Sequence, residues 1–358
     1  HSYYVWVKAY DGWEYSSYGT TNFYVNRPPS APTLASPSPD GTTIDIVNPW
    51  LNVTVSDPDG DVMTLKFYWS DGTLIGTLTD VASGSTAGIQ VTVSRGKWYY
   101  WYVVADDGLD TTQSSTFSFY VNQYPDKPAL YSPSPNATTI TTTSAWLNVS
   151  VSDPDGDSLT VKIYWNNGTL IDTITGVSSG SVVGTQVEEL TRGSWYYWYA
   201  VVVDPYDLSN QSDVFSFYVD RYPDAPSLNS PSDGEVLNEI WALLNVTYSD
   251  PDGDAGYVEF YDNTTGSPAL LANLSATDGS SVTYNWTSLT RGTVYRWFAK
   301  SRDAHGLVST SSEWSFRVNS YPDVPTLNSP ADGEVLDDVW ALLNASYSDP
   351  DGDAGYLE

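Results

Sequence analysis

The residues best placed to do chemistry in this chain are carboxylates. Asp-Pro-Asp-Gly-Asp occurs four times, bringing Asp57, Asp59 and Asp61, then Asp153, Asp155 and Asp157, then Asp250, Asp252 and Asp254, then Asp349, Asp351 and Asp353. Three carboxylates at i, i+2 and i+4 on a tight Pro-Gly turn can converge on one hard cation, and Ca2+ takes about six to eight oxygens. The pattern is not an EF-hand: Gly comes before the third Asp, and the twelfth position from Asp57 is Tyr68, not Glu. Against the metal stands a plainer reading, in which Asp, Pro and Gly simply make good solvated turns.

Little else in the chain suggests catalysis. There are two His residues, His1 and His305, and no Cys. No His-Glu-x-x-His, phosphate loop, dinucleotide Gly loop or Gly-x-Ser-x-Gly is present. His305 lies beside Asp303 in a predicted loop whose counterparts in other repeats lack His, which reads as an ordinary loop residue. Glycoside hydrolysis needs a carboxylic acid of raised pKa in a cleft, and an open acidic turn offers no cleft. An enzyme is not expected.

Two further sets of side chains point to surfaces. Asn-x-Ser/Thr triplets begin at Asn52, Asn136, Asn148, Asn167, Asn210, Asn245, Asn263, Asn273, Asn285 and Asn344. Those at Asn52, Asn148, Asn245 and Asn344 each stand five residues before an acidic turn, on strands whose alternation predicts an exposed Asn and a site for attached sugar. Outward polar alternation in Ser/Thr-rich strands also makes such triplets by accident. On the opposite sheet, alternation turns Tyr68, Tyr100, Tyr102 and Tyr120 outward in one repeat and Tyr164, Tyr197, Tyr199 and Tyr218 in the next, with Tyr4, Trp6 and Tyr24 near the start of the chain. Arg296 and Arg317 interrupt the row in the third full repeat. Large exposed aromatic patches usually mark an interface, here with neighbouring chains or domains, or with glycans that stack on the rings.

The elements that must position these residues are strands. The acidic turns recur at steps of 96, 97 and 99 residues (153 − 57, 250 − 153 and 349 − 250), a domain-sized period. Each follows a short alternating run, LNVTVS, LNVSVS, LNVTYS or LNASYS, with Leu51, Val53 and Val55 turned inward in the first. After that turn Leu65, Phe67 and Trp69 share one face, and two more strands follow at 98–105 and 116–121. Joints of the form Asn122-Gln-Tyr-Pro-Asp-Lys-Pro128 separate the repeats, and two prolines three residues apart make them short and stiff. The expected division is 1–26 (the last strands of a domain), 27–123, 124–221, 222–320, and 321–358 (the first strands of another), so the chain reads as a window on a longer array.

Val93-Ser-Arg-Gly-Lys-Trp-Tyr99, Leu190-Thr-Arg-Gly-Ser-Trp-Tyr196 and Leu289-Thr-Arg-Gly-Thr-Val-Tyr295 each place an aliphatic residue six before a Tyr, ahead of an aromatic strand. This resembles the E–F corner and F strand of fibronectin type III domains, tyrosine corner included; the acidic turn is closer to Ig-like repeats of bacterial and archaeal surface proteins. The resemblance implies an all-β chain of tandem Ig-like, fibronectin type III-like sandwiches with Greek-key antiparallel sheets. It makes the acidic turn the B–C loop and brings to the same pole the F–G loop, with Asp106, Asp107, Asp110, Asp204, Asp207 and Asp303. The joint preceding each domain adds Asp126, Asp224 and Asp323 there, giving four to six carboxylates per junction and a Ca2+ clamp. Ser30 replaces this Asp at the first joint, where the site is expected to be weaker or absent.

Bulk composition limits the partners. Of 358 residues 41% are apolar, enough for cores, while only 14 are Lys or Arg and the net charge is −30. Nucleic acid and anionic membrane are excluded, because both require a basic surface. No run of eighteen apolar residues provides a membrane span. The expectation is an extracellular or cell-surface structural protein that self-associates into a filament, sheath, surface layer or stalk. A Ca2+-dependent adhesin or sugar-binding spacer of a large secreted protein is the alternative.

Overall fold

The computed structural model describes residues 2–358, and its regular elements are all strands. In the first full repeat Thr33–Ser36, Trp50–Thr54 and Thr86–Gln90 form a three-stranded sheet. A second sheet runs in the order Thr42–Ile44, Phe117–Val121, Lys97–Asp106, Met63–Trp69, Leu74–Val81, with Thr111–Gln113 beside Lys97–Asp106. The chain enters in one sheet and crosses to the other, where Thr42–Ile44 lies parallel to Phe117–Val121 while the other pairs are antiparallel. This is the Greek-key sandwich of Ig-like and fibronectin type III-like domains. The third full repeat has the same order, with Ser227–Ser230, Ala242–Thr247 and Ser281–Trp286 opposite a sheet centred on Val294–Asp303.

Alternation explains the core. Leu51, Val53 and Val55 from one sheet and Met63, Leu65, Phe67, Trp101, Val103 and Phe119 from the other are nearly inaccessible, while the residues between them are not. Each such large side chain contributes about 1.5–3 kcal/mol by leaving water. Leu244, Val246, Val258, Phe260, Trp297 and Phe316 repeat the arrangement. The tyrosine corner is present three times: the amide N–H groups of Ser94, Thr191 and Thr290 donate to the hydroxyl oxygens of Tyr99, Tyr196 and Tyr295 at 2.8, 2.7 and 2.8 Å.

The chain divides into two compact units. One comprises residues 1–135, 146–186 and 197–215, the other 136–145, 187–196 and 216–358, so the second full repeat contributes to both. In the first unit Leu159–Trp165 pairs with Leu170–Val177 and with the stretch 198–203. In the second, Thr138, Thr139 and Ile140 run parallel to Phe217, Tyr218 and Val219. Ser2–Val7 pairs with Gly19–Tyr24 near the start of the chain, and Thr326–Ser329 with Asn344–Ser346 near its end.

Candidate metal-binding joints

The three Asp residues of an acidic turn divide three tasks. The first builds the turn: Asp57 Oδ1 accepts from the N–H groups of Asp59 at 2.7 Å and Asp61 at 3.2 Å. Pro58 presets φ, and Gly60 takes the left-handed conformation (φ +86°) that a side chain would resist. Asp153 and Asp250 accept in the same way. All three are buried, and in each the second oxygen, Oδ2, has no hydrogen-bond partner. A buried polar atom without a partner costs about 1–3 kcal/mol, so these oxygens require an explanation.

The middle Asp grips the joint. Asp155 accepts from the Gln123 N–H at 2.6 Å and from the Tyr120 hydroxyl. Asp252 accepts from the Arg221 N–H at 2.8 Å and the Tyr218 hydroxyl at 2.6 Å. Asp59 takes the Arg27 N–H at 2.8 Å and its guanidinium at 2.9 and 2.6 Å, which holds its carboxyl below the ordinary range. At Asp351 the donor is the Ser320 N–H, and Arg317 Nη1 lies 3.7 Å away. Tyr120 and Tyr218, read from the sequence as packing residues, are thus hydroxyl donors within the joint, and Arg317 stands in their place. A second clasp comes from the E–F corner. Arg95, Arg192 and Arg291 donate to the carbonyls of Asn122, Asp220 and Asn319, and their guanidinium groups lie over the rings of Tyr124, Tyr222 and Tyr321 at 4.8, 4.5 and 4.1 Å.

The third Asp faces the F–G loop. Oxygens of Asp153, Asp157 and Asp204 come within 4.8 Å of one another. Asp204 folds its loop by accepting from the N–H groups of Tyr206 and Leu208, and Asn122 Nδ2 donates to its other oxygen at 2.6 Å. Asp157 Oδ2 and Asn122 Oδ1 are buried without partners. Burial, then the nearby charges of Asp153, Asp155 and Asp204, push the Asp157 carboxyl up. This is a dry, all-oxygen nest with several unused lone pairs.

The next joint differs. There Asp220 Oδ2, Asp254 Oδ2 and His305 Nδ1 form the group, with the imidazole nitrogen 3.3 and 3.2 Å from the two carboxylates. His305 is therefore no ordinary loop residue: the loop turn made by Asp303 Oδ1, which accepts the His305 N–H at 2.9 Å, places it in the cluster. Burial pushes the Asp220 carboxyl up to about 6, opposed by His305 and reinforced by Asp303. The other acidic groups come from single turns, Asp57 with Asp59 and Asp61, and Asp349 with Asp351 and Asp353.

The remaining predicted ligands lie elsewhere. Asp126, Asp224 and Asp323 accept from the hydroxyls of Ser152, Ser249 and Ser348 at 2.7, 2.7 and 2.6 Å, and among the described residues none joins a cluster. Asp107 accepts from Asn26 Nδ2 at 2.9 Å, which lowers its pKa. The structure thus gathers three carboxylates at the Asp153 joint, from two segments, where four to six from three were expected.

The two faces also gain detail. Tyr68 stacks on Tyr102 at 5.3 Å and Tyr164 on Tyr199 at 5.2 Å, while Tyr100 and Tyr197 are about half exposed, as are Trp98 and Trp195, which sequence reasoning passed over although they share their parity. Tyr4, Trp6 and Tyr24 are exposed. On the other sheet Asn52 and Asn148 are half-buried where exposure was expected. Their Nδ2 atoms, where a sugar would attach, donate to Ser36 and Ser132 at 2.8 and 2.9 Å. Asn245 is also half-buried, and so are Asn210 and Asn263; Asn136, Asn167, Asn273, Asn285 and Asn344 are exposed.

No family model and no curated protein matches the chain. Solved structures resemble it. The fibronectin(III)-like modules of Clostridium thermocellum CbhA are 19% identical, covering 54% of this chain and 93% of theirs, with a TM-score of 0.30. A PKD domain of an M14-like peptidase from a Thermoplasmatales archaeon is 20% identical over 28% of this chain and 100% of its own, with a TM-score of 0.24. The chicken CNTN1 FN1–FN3 domains are 8% identical over 82% and 99%, with a TM-score of 0.28. No helix among the described residues is long and apolar enough to cross a membrane.

Proposed function

We propose that the chain is a stretch of an extracellular structural protein, a tandem array of β-sandwiches forming a surface filament, sheath, surface layer or stalk. Ca2+ stiffens its joints, and its aromatic faces pack against neighbouring chains or domains. The observation that carries the reading is the repeated acidic turn, whose middle Asp holds the preceding joint while its first Asp keeps a buried oxygen unpaired. A chain that needed only a flexible spacer would have no use for so many fixed donors at each joint.

At the second acidic turn Asp153, Asp157 and Asp204 fit a hard cation. Oxygen ligands, burial and excess negative charge are what Ca2+ selects. Metal bound to the folded state stabilises it, by about 2.7 kcal/mol when the free ion is at 100 times its Kd. Calcium should therefore raise the melting temperature of chelator-stripped protein, and Asp153→Asn with Asp204→Asn should remove most of the rise. Melting that ignores both chelator and calcium would overturn the metal part of the proposal.

The half-exposed pair of Trp98 and Tyr100, which stack at 6.2 Å, favours one alternative, an adhesin or spacer whose rings stack on glycans. Quenching of tryptophan fluorescence by soluble polysaccharide would support it over assembly. The exposed sequons at Asn136, Asn167, Asn273, Asn285 and Asn344 are the places for attached sugar.

A further inference from the structure

Two substitutions set one joint apart, and they compensate each other. The residue that closes the last strand of each repeat is Asn26, Asn122, Asp220 and Asn319 in turn. Where it is Asn122, its amide donates to Asp204, and Asn26 donates likewise to Asp107. Asp220 has no proton to give when ionised, so the oxygen of Asp303 that corresponds to the Asn-bonded one loses its donor. Asp220 Oδ2 and Asp303 Oδ2 are both buried without hydrogen bonds, in residues 1% and 3% exposed. The second change lies two residues into the F–G loop. Leu109 and Tyr206 occupy that position in the earlier repeats, and His305 occupies it here.

Dry carboxylates without donors stay ionised only beside a cation. His305 supplies a nitrogen at the right place, but not as a hydrogen-bond donor to Asp220: Oδ2 accepts no hydrogen bond although Nδ1 is 3.3 Å away. The separations of 3.3 and 3.2 Å from Nδ1 to the two carboxylates match the edges of a tetrahedron instead. With metal–ligand bonds of about 2.0–2.1 Å, tetrahedral ligand atoms stand about 3.3 Å apart. Two carboxylate oxygens and one imidazole form a mixed donor set suited to a borderline-soft ion, where the preceding joint offers oxygen alone.

We propose that Asp220, Asp254 and His305 bind a divalent transition metal of the zinc class, so that neighbouring joints of one chain are selective for different ions. The site opens onto a cleft of about 330 Å³ lined by Thr139, Trp195 and Tyr218 as well as the ligands, which gives the ion a route in. The inference is independent of the calcium reading and of assembly, since it rests on other residues.

The test is equilibrium dialysis of the full chain, first stripped with chelator, against zinc chloride, with calcium uptake measured in parallel. Zinc binding should weaken about 100-fold or more in His305→Tyr and in Asp220→Asn, since loss of even an outer-sphere partner weakens metal sites by about 10–100-fold. Asp153→Asn should leave it unchanged. The double variant Asp220→Asn/His305→Tyr recreates the Asn122–Tyr206 pair of the preceding repeat, and its circular dichroism separates loss of a ligand from loss of fold. Cobalt in place of zinc should give the visible spectrum of tetrahedral coordination in the wild type and in Asp153→Asn, and not in His305→Tyr or Asp220→Asn. No zinc uptake by the wild type, or uptake that survives His305→Tyr, would overturn the proposal.

Discussion

A single hydroxyl shows how the joints hold. Tyr218 donates to Asp252 at 2.6 Å, and burial followed by that bond pushes its pKa up to about 12. An unfolded tyrosine titrates near pH 10. Because the folded value is the higher one, the stabilisation is complete below about pH 10 and is lost as pH rises towards 12. Tyr218→Phe should make that alkaline leg shallower, with Tyr120, Tyr248 and Tyr261 still contributing, and cost about 1–3 kcal/mol at neutral pH. Urea melts across the alkaline range would show it, and an unchanged profile in the variant would refute the role. The acidic turns were legible in the sequence because they recur and because an Asp-Pro-x-Gly turn makes local demands on residue type. Which of the three Asp residues meets the backbone N–H of the joint was not, since that depends on the preceding joint folding back onto the turn. Asp220 and His305 do carry a signal in the sequence: Asp where three other joints have Asn, and His where the other loops have none.

At the scale of strands, alternation placed Leu51, Val53, Val55, Leu65 and Phe67 in the core, with Trp69 packed half-buried against it. It failed for Asn52, whose alternation is outward but whose amide crosses to Ser36 and lies over Gly88. Outward on a strand is not the same as free when a neighbouring strand offers a polar partner. A Cβ at Gly88 would stand 2.0 Å from Asn52 Oδ1 and 2.3 Å from the Leu51 carbonyl oxygen, and the second is backbone that cannot step aside. Gly88→Ala should therefore destabilise the first full repeat by about 1–3 kcal/mol, as overpacking does. Thermal melts that match wild type would mean the two strands part more easily than their pairing implies. Trp98 shares the parity of Tyr100 and stacks on it at 6.2 Å, so the outward row is mixed aromatic and not tyrosine alone.

Over the whole molecule, the acidic turn of each repeat grasps the joint before it, and in the proposed function its dry oxygens also hold an ion. In the proposed function a cation offsets the repulsion among carboxylates gathered at the joints of a chain whose net charge is −30. The chain has no cysteine, so two introduced ones take spin labels without competition. Leu74 and Leu170 are equivalent, exposed positions on either side of the Asp153 joint, within one compact unit. With Leu74→Cys and Leu170→Cys labelled, the distance distribution measured by pulsed electron resonance should be broad in chelator and narrow on adding calcium. A distribution of the same width in both would contradict the claim that an ion stiffens the joint.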